Sequence, residues 1–354
     1  MSGTPVSTAA ASAAEVAVGP IRPGESYWRL VWRQYRRRRL NRIALVLMAG
    51  VIGLATFADL LASDKPIYLD MDGETYLLPA LFEPAELRIY NNQLIDERLG
   101  PGDFAIFPMV PWGYNSHDLD AVLDGPSEQH WLGTDPSGRD VLSRVIHGSR
   151  VSLAVGFLAV LILTSIGVLL GSLAGYYGGW IDGLVNRVVE IVMCIPPILL
   201  IATMIGVIAP SGWDAVVAMM VVIGLVRWTT VARLIRAEIL RIKNLEYIAA
   251  AHAIGLMDLR IIIRHVLPNA ISPVLVAATF AMANAVLIEG ALSFLGFGIP
   301  DDMASWGGLL NGVRTNYDAW WLAVFPGFAI FLTVTVYNLA GEGLRDAIDP
   351  RLKT

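Results

Sequence analysis

Between the apolar runs near 213–230 and 271–288 lies a strongly charged island, and that contrast limits the chain to few folds. The island is Glu246–Asn269, EYIAAAHAIGLMDLRIIIRHVLPN. Arg241, Lys243, Asp258, Arg260 and Arg264 lie in or beside it. So many charges cannot share the hydrocarbon of a bilayer, which places the segment in water between two membrane spans. Tyr247, Ala250, Ala251 and Ile254 recur at helical spacing, Gly255 breaks the run, and Leu256, Leu259, Ile262 and Ile263 resume it. Pro268 is expected to end the second stretch. The expectation is a knob of two short helices bent at a glycine.

The rest of the 354-residue chain suits that reading: 16% of residues are charged, against roughly 25% in a soluble domain. Six apolar spans are expected near 43–61, 151–174, 188–208, 213–230, 271–288 and 320–339. The fold class is therefore all-α, a six-span membrane protein. Basic residues crowd 22–42 and 227–264 and recur at Arg345, whereas 62–150 is rich in Asp and Glu. The positive-inside rule then puts both chain ends in the cytoplasm and the acidic loop outside. The resulting divisions are a tail with an interfacial helix (1–42), span 1 (43–61), an extracytoplasmic loop or subdomain (62–150), a five-span core with its knob at 246–268 (151–342), and a cytoplasmic tail (343–354). Residues 1–20 lack a signal peptide's basic start and apolar core, and read as a disordered tail. Within the outer insertion, Asp72-Gly73 between two strand-like stretches predicts a β-hairpin in otherwise irregular chain.

Several residues carry local expectations. Gly167, Gly171 and Gly175 line one helix face at four-residue spacing and suit close helix packing. Pro196 and Pro197 should kink span 3, and Arg227 should snorkel to the interface at the end of span 4. Glu289, near the far end of span 5, is read as a packing partner rather than a translocation-path residue. Trp306, Trp320 and Trp321 are expected as interface anchors. In His130–Arg144, Gly133 and Gly138 suit turns, Asp140 suits a helix cap, and Arg139 or Arg144 can pair with a nearby carboxylate, with Asp135 in the same structural group. This is read as a structural brace of the outer mouth rather than a peptide contact.

Catalytic chemistry finds no pattern. There is no phosphate-binding loop, no His-Glu-x-x-His pair among the five histidines, and only one cysteine, Cys194. A metal site and a catalytic role are not expected. The arginine cluster Arg29, Arg33 and Arg36–Arg39, interleaved with Tyr27, Trp28 and Trp32, precedes an apolar span, so it is assigned to an interfacial helix facing anionic lipid, not nucleic acid. A different class, a membrane scaffold or enzyme acting through its external loop, would need polar groups converging in the bundle or a catalytic motif in 62–150.

The charged island resembles the cytoplasmic loop of the binding-protein-dependent permeases of bacterial ABC importers. The family's motif has an acidic residue, two alanines, a glycine four positions on, and a closing Leu-Pro. Ala249, Ala250, Ala251, Gly255, Leu267 and Pro268 occupy those places, with Ala249 replacing the acidic residue. Arg264–Asn269, His130–Arg144, Ala174–Gly179 with Asp182, Leu292–Gly298, Ser305–Gly307 and Leu344–Arg351 are similar to the C-type subunit of the peptide/nickel branch. The resemblance implies the type I importer permease fold. It also implies a homologous B-type permease partner, an extracytoplasmic solute-binding protein and two cytoplasmic ATPase subunits that carry ATP and magnesium. Glu246, Tyr247, Ala249, Ala250, Ala251, Gly255, Leu267 and Pro268 would then seat in an ATPase groove. Dipeptides or oligopeptides are the implied cargo, with nickel or another peptide-like solute as the alternative.

Overall fold

Several apolar runs form helices longer than the hydrocarbon they would cross. The computed structural model describes residues 27–348 except 72, 209 and 210. The expected tail 1–20, Pro210 of the expected outer turn, and Asp349–Arg351 lie outside the described residues. The helices are α1 (Tyr27–Arg37), α2 (Arg39–Thr56), α3 (Ala58–Leu61), α4 (Pro79–Phe82), α5 (Asn92–Arg98), α6 (Val141–Tyr177) and α7 (Gly179–Met193). There follow α8 (Pro197–Ile208), α9 (Gly212–Ile242), α10 (Glu246–Ala253), α11 (Asp258–Ile261), α12 (Leu267–Phe294), α13 (Trp306–Asn311) and α14 (Trp321–Ile348). Among them, α2, α6, α9, α11 with α12, and α14 are long and apolar enough to span a membrane. The pair α7 and α8 makes a sixth span if its 84° bend is counted as one crossing. The all-α, multi-span class is thus present.

The span limits differ from the sequence-based ones. As the Asp140 cap predicts, α6 begins at Val141, ahead of the apolar run near 151, with the Asp140 side chain accepting from Ser143 N at 2.7 Å. At 37 residues, α6 is about 55 Å long. Span 3 is broken rather than merely kinked, since Pro196 and Pro197 leave two backbone positions without donors. Span 4 continues to Ile242, so Arg227 lies within α9 and not at its end. Pro268 does not terminate a helix; it occupies the first turn of α12, where a missing N–H is harmless. A single π-helical turn, Ile262–Val266, joins α11 to α12.

The core sits between α6 and α9. In α9, 67% of the most apolar window is buried, against 11% in α2, so α9 is central and α2 peripheral. Gly167, Gly171 and Gly175 bring the two backbones together: a Cβ on Gly167 would lie 2.6 Å from Val231 Cβ, and one on Gly175 3.0 Å from the Arg236 carbonyl. At Gly171 an added Cβ would collide with Ile235 and the Ala232 carbonyl. Glu289 is fully buried, accepting hydrogen bonds from Ser152 of α6 and Ser293 of α12, each at 2.9 Å.

The insertion between α3 and α6 holds a three-stranded sheet in the order β2 (Glu74–Leu77), β1 (Tyr68–Met71), β3 (Phe104–Ile106). Its first two strands form the expected hairpin, in antiparallel register Tyr68 with Leu77. The third strand, pairing Leu69 with Ala105, carries no local signal because its partner is distant in sequence. Leu69, Met71, Leu87 and Ile95 form a small core beneath it.

Replacing Gly171 by valine is expected to destabilise the detergent-solubilised protein by about 1–3 kcal/mol through overpacking. Gly53→Ala, at a position with open space around it, should change little. Thermal denaturation of the two variants checks this, and equal midpoints would refute the packing role.

Candidate functional site

The segment 246–268 is built on a buried seat. After α9 the chain turns at Lys243–Leu245 and enters α10, whose Ile248 and Ala251 pack beside Ile242, Ile261 and Val266. The opposite side faces outward: Glu246, Tyr247, Ala249 and Ala250 are exposed, with Ile254, Met257 and Leu259 beyond them. Leu267 is half-buried and Pro268 exposed, at the far side of the segment. Such a cluster leaves apolar groups uncovered around a capped bend.

Gly255 closes α10. Its φ of +77° lies in the left-handed region, and Leu256 N–H reaches back to the Ala251 carbonyl at 3.2 Å. That is the pattern of a Schellman cap, which favours glycine because a Cβ there is strained.

Three contacts absent from the sequence-based reading tie this segment to the end of α6. Tyr176 Oη donates to Asp258 Oδ1 at 3.1 Å and lies 3.2 Å from His252 Nε2, and Lys243 Nζ donates to the Gly175 carbonyl at 3.0 Å. Arg236 of α9 is paired with Asp182 of α7 at 2.6 Å. Tyr176 and Asp182 lie within sequence blocks noted above, but nothing local marks their partners, 54 and 82 residues away.

At the other end of α6, Gly133, Asp135, Gly138, Arg139 and Asp140 form one hydrogen-bonded knot. Asp135 Oδ1 accepts from Ser137 N at 2.8 Å and Arg139 N at 3.0 Å, and its Oδ2 accepts from Arg139 Nε at 2.7 Å. Arg139 then donates to Asp301, to its carbonyl at 2.7 Å and its Oδ2 at 2.6 Å. Arg144, completely buried, donates to the carbonyls of Asp301 at 3.1 Å, Met303 at 3.2 Å and Tyr114 at 3.3 Å. Gly138 admits the close approach of the Asp118 backbone, which a Cβ would block. Gly133 lies against Trp321, whose indole donates to the Thr134 carbonyl at 2.9 Å.

Two of the expected interface tryptophans are therefore internal. Trp306 and Trp321 are buried, and the Trp306 indole donates to the Val145 carbonyl at 2.9 Å; Trp320 remains exposed. A buried indole is kept because its N–H has a partner. Asp301 was not singled out in the sequence, and its pairing across some 160 residues left no local signal.

His130 completes the knot. Its Nδ1 is 2.9 Å from Asp140 Oδ2 and its Nε2 3.4 Å from Asp118 Oδ2, with the Trp112 ring tilted against it, centroids 4.6 Å apart. Burial disfavours its charge, but hydrogen bonding and the charges of Asp140 and Asp118 outweigh this and raise its pKa above the ordinary histidine value. Among the described residues no group of His, Cys, Asp and Glu is arranged to hold a metal ion.

Bent and broken apolar spans around a glycine-packed pair define a multi-span helical membrane protein. The chain belongs to the family of binding-protein-dependent transport system inner membrane components, which it matches over residues 167–354. Residues 26–80 match the N-terminal transmembrane domain of oligopeptide transport permease C. A dipeptide transport system permease of Alkalihalophilus pseudofirmus is 34% identical over 330 residues, 93% of this chain and 91% of that one. A glutathione transport system permease of Pectobacterium atrosepticum is 41% identical over 241 residues, 68% of this chain and 79% of the relative. An inner membrane ABC transporter permease of Escherichia coli K12 is 33% identical over 331 residues, covering 90% and 96% respectively. The chain is a multi-pass permease of the peptide/nickel type.

A raised His130 pKa means that its contribution to stability is complete below the unfolded value of about 6.5 and is lost as pH rises through the folded value. Amide exchange across 127–143 is expected to accelerate as pH rises through that folded value, beyond the intrinsic increase. In His130→Gln the extra acceleration should vanish; its persistence would show that another group governs the loop.

Proposed function

We propose that this chain is the C-type permease subunit of an ATP-driven importer of dipeptides or oligopeptides. The observation that carries this reading is the segment 246–268, with its buried seat and its uncovered apolar side. It is the element that a subunit driven from outside requires. The partners in this reading are a homologous B-type permease across the translocation path, an extracytoplasmic solute-binding protein, and two cytoplasmic ATPases that bind ATP and magnesium. The peptide cargo is supported by the printed functions of relatives that cover most of the chain.

The charge distribution favours cytoplasmic ends and a cytoplasmic knob, with 62–140 outside. The amphipathic α1 then lies along the inner membrane surface. Its Trp28 and Trp32 are half-exposed toward lipid, Arg36 lies 5.9 Å from the centre of the Trp32 ring, and Arg38 pairs with Asp346 of α14. On the outer side, the knot from His130 to Asp140 braces the mouth where a binding protein would dock.

The geometry suggests how a push is relayed. Gly255, Leu267 and Pro268 make the knob a bent, capped unit, so it moves as a body when an ATPase groove closes on Tyr247, Ala249, Ala250 and Ile254. Ala251 and Ile248 carry that movement into the seat. Lys243 and Tyr176 pass it to α6, whose glycine face holds α9 in step.

Uptake of labelled di- and tripeptides by cells with and without this subunit tests the cargo, and unchanged uptake on deletion would sink it. Gly255→Pro should leave membrane insertion intact while uncoupling ATP hydrolysis from transport, because it removes the N–H bonded to the His252 carbonyl and the left-handed φ. Undiminished transport per ATP in the reconstituted variant complex would count against the coupling role.

A further inference from the structure

Arg227 lies about 22 Å along α9 from Gly212, well inside the span. A guanidinium at such a position is costly unless something anionic or polar meets it, and such residues commonly mark a pathway. The neighbouring arginines of α9 are all engaged: Arg233 with the Met193 sulfur, Arg236 with Asp182, and Arg241 with Glu238. Arg227 alone among them has no hydrogen-bond or ion-pair partner among the described residues.

It lines a cavity of about 230 Å³ between α6, α9 and α12. Leu163, Ile223 and Phe280 form apolar wall, and Arg227 is its only charged lining group. Thr230 and Asn284 supply the neutral polar groups. Asn284 donates one N–H to the Phe280 carbonyl at 2.9 Å, which leaves its second N–H and its carbonyl oxygen for a guest. The set therefore offers a bidentate cation for a carboxylate and, beside it, a donor and an acceptor matched to a peptide group. The volume is smaller than the roughly 300 Å³ at which drug-sized sites begin, so it suits one end of a longer molecule.

We infer that Arg227 and Asn284 form a subsite in the translocation path for the C-terminal carboxylate and last peptide group of the cargo. This rests on the peptide-importer reading above. A phospholipid headgroup is the poorer occupant, since headgroups lie at the bilayer surface and this cavity is walled by the middle of α12.

The test uses the whole complex in proteoliposomes, with binding protein saturated by trialanine or by trialanine amide so that its own preference drops out. Arg227→Gln is expected to lower the acid-to-amide transport ratio about tenfold, the effect of losing one charge-assisted hydrogen bond. Arg227→Lys should retain most of the ratio, and size-exclusion chromatography confirms that both variants assemble. An unchanged ratio in Arg227→Gln overturns the subsite. So does an equal fall for both peptides or loss of assembly, which would assign Arg227 to a contact with the partner permease. A wild-type complex that moves neither peptide instead removes the importer reading, and the subsite with it.

Discussion

The backbone contact between α6 and α9 is what the rest of the fold depends on. Hydrocarbon gives no hydrophobic drive for two helices to associate, so close packing has to do that work. Gly167, Gly171 and Gly175 provide it by exposing bare backbone to Val231, Ala232, Ile235 and Ile239. The remaining elements are attached to this pair. Glu289 holds α12 to α6 through Ser152, and α7 is held to α9 through Asp182 and Arg236.

The two polar sites are the two ends of one rod. The knot of His130, Asp135, Arg139 and Arg144 sits at the start of α6, and Lys243, His252 and Asp258 gather around its end at Gly175 and Tyr176. A helix with its hydrogen bonds intact is stiff along its axis, so displacement at one end is felt at the other. Both anchors need this stiffness, and both would be weakened by a break like the one at Pro196-Pro197. The bend between α7 and α8 lies in a different span and does not interrupt the rod.

Charged side chains inside the bundle differ in what meets them. Arg144 is sealed but meets three carbonyls, and Glu289 is sealed but meets two serines. Each is matched by its own chain, which suits a structural role. Arg227 faces a cavity instead and has no hydrogen-bond or ion-pair partner among the described residues.

Much was legible without coordinates. The apolar runs and the charge asymmetry determined a multi-span helical protein, because only helices and closed barrels satisfy backbone groups in lipid and runs this long fit helices. Asp72-Gly73 marked the hairpin, the glycine spacing marked a packing face, and the Gly255 bend was placed to the residue. These are signals of local period and composition. The Asp140 cap placed the start of α6, whereas helix ends were misjudged at Ile242 and Pro268, since spans extend into water as soon as a neighbour supports them. The burial of Trp306 and Trp321, the pairing of Arg139 with Asp301, and the position of Arg227 in a cavity were decided only by tertiary structure. Each depends on groups brought together from distant parts of the chain, and a side chain's neighbours across that distance leave no trace in its own stretch of sequence.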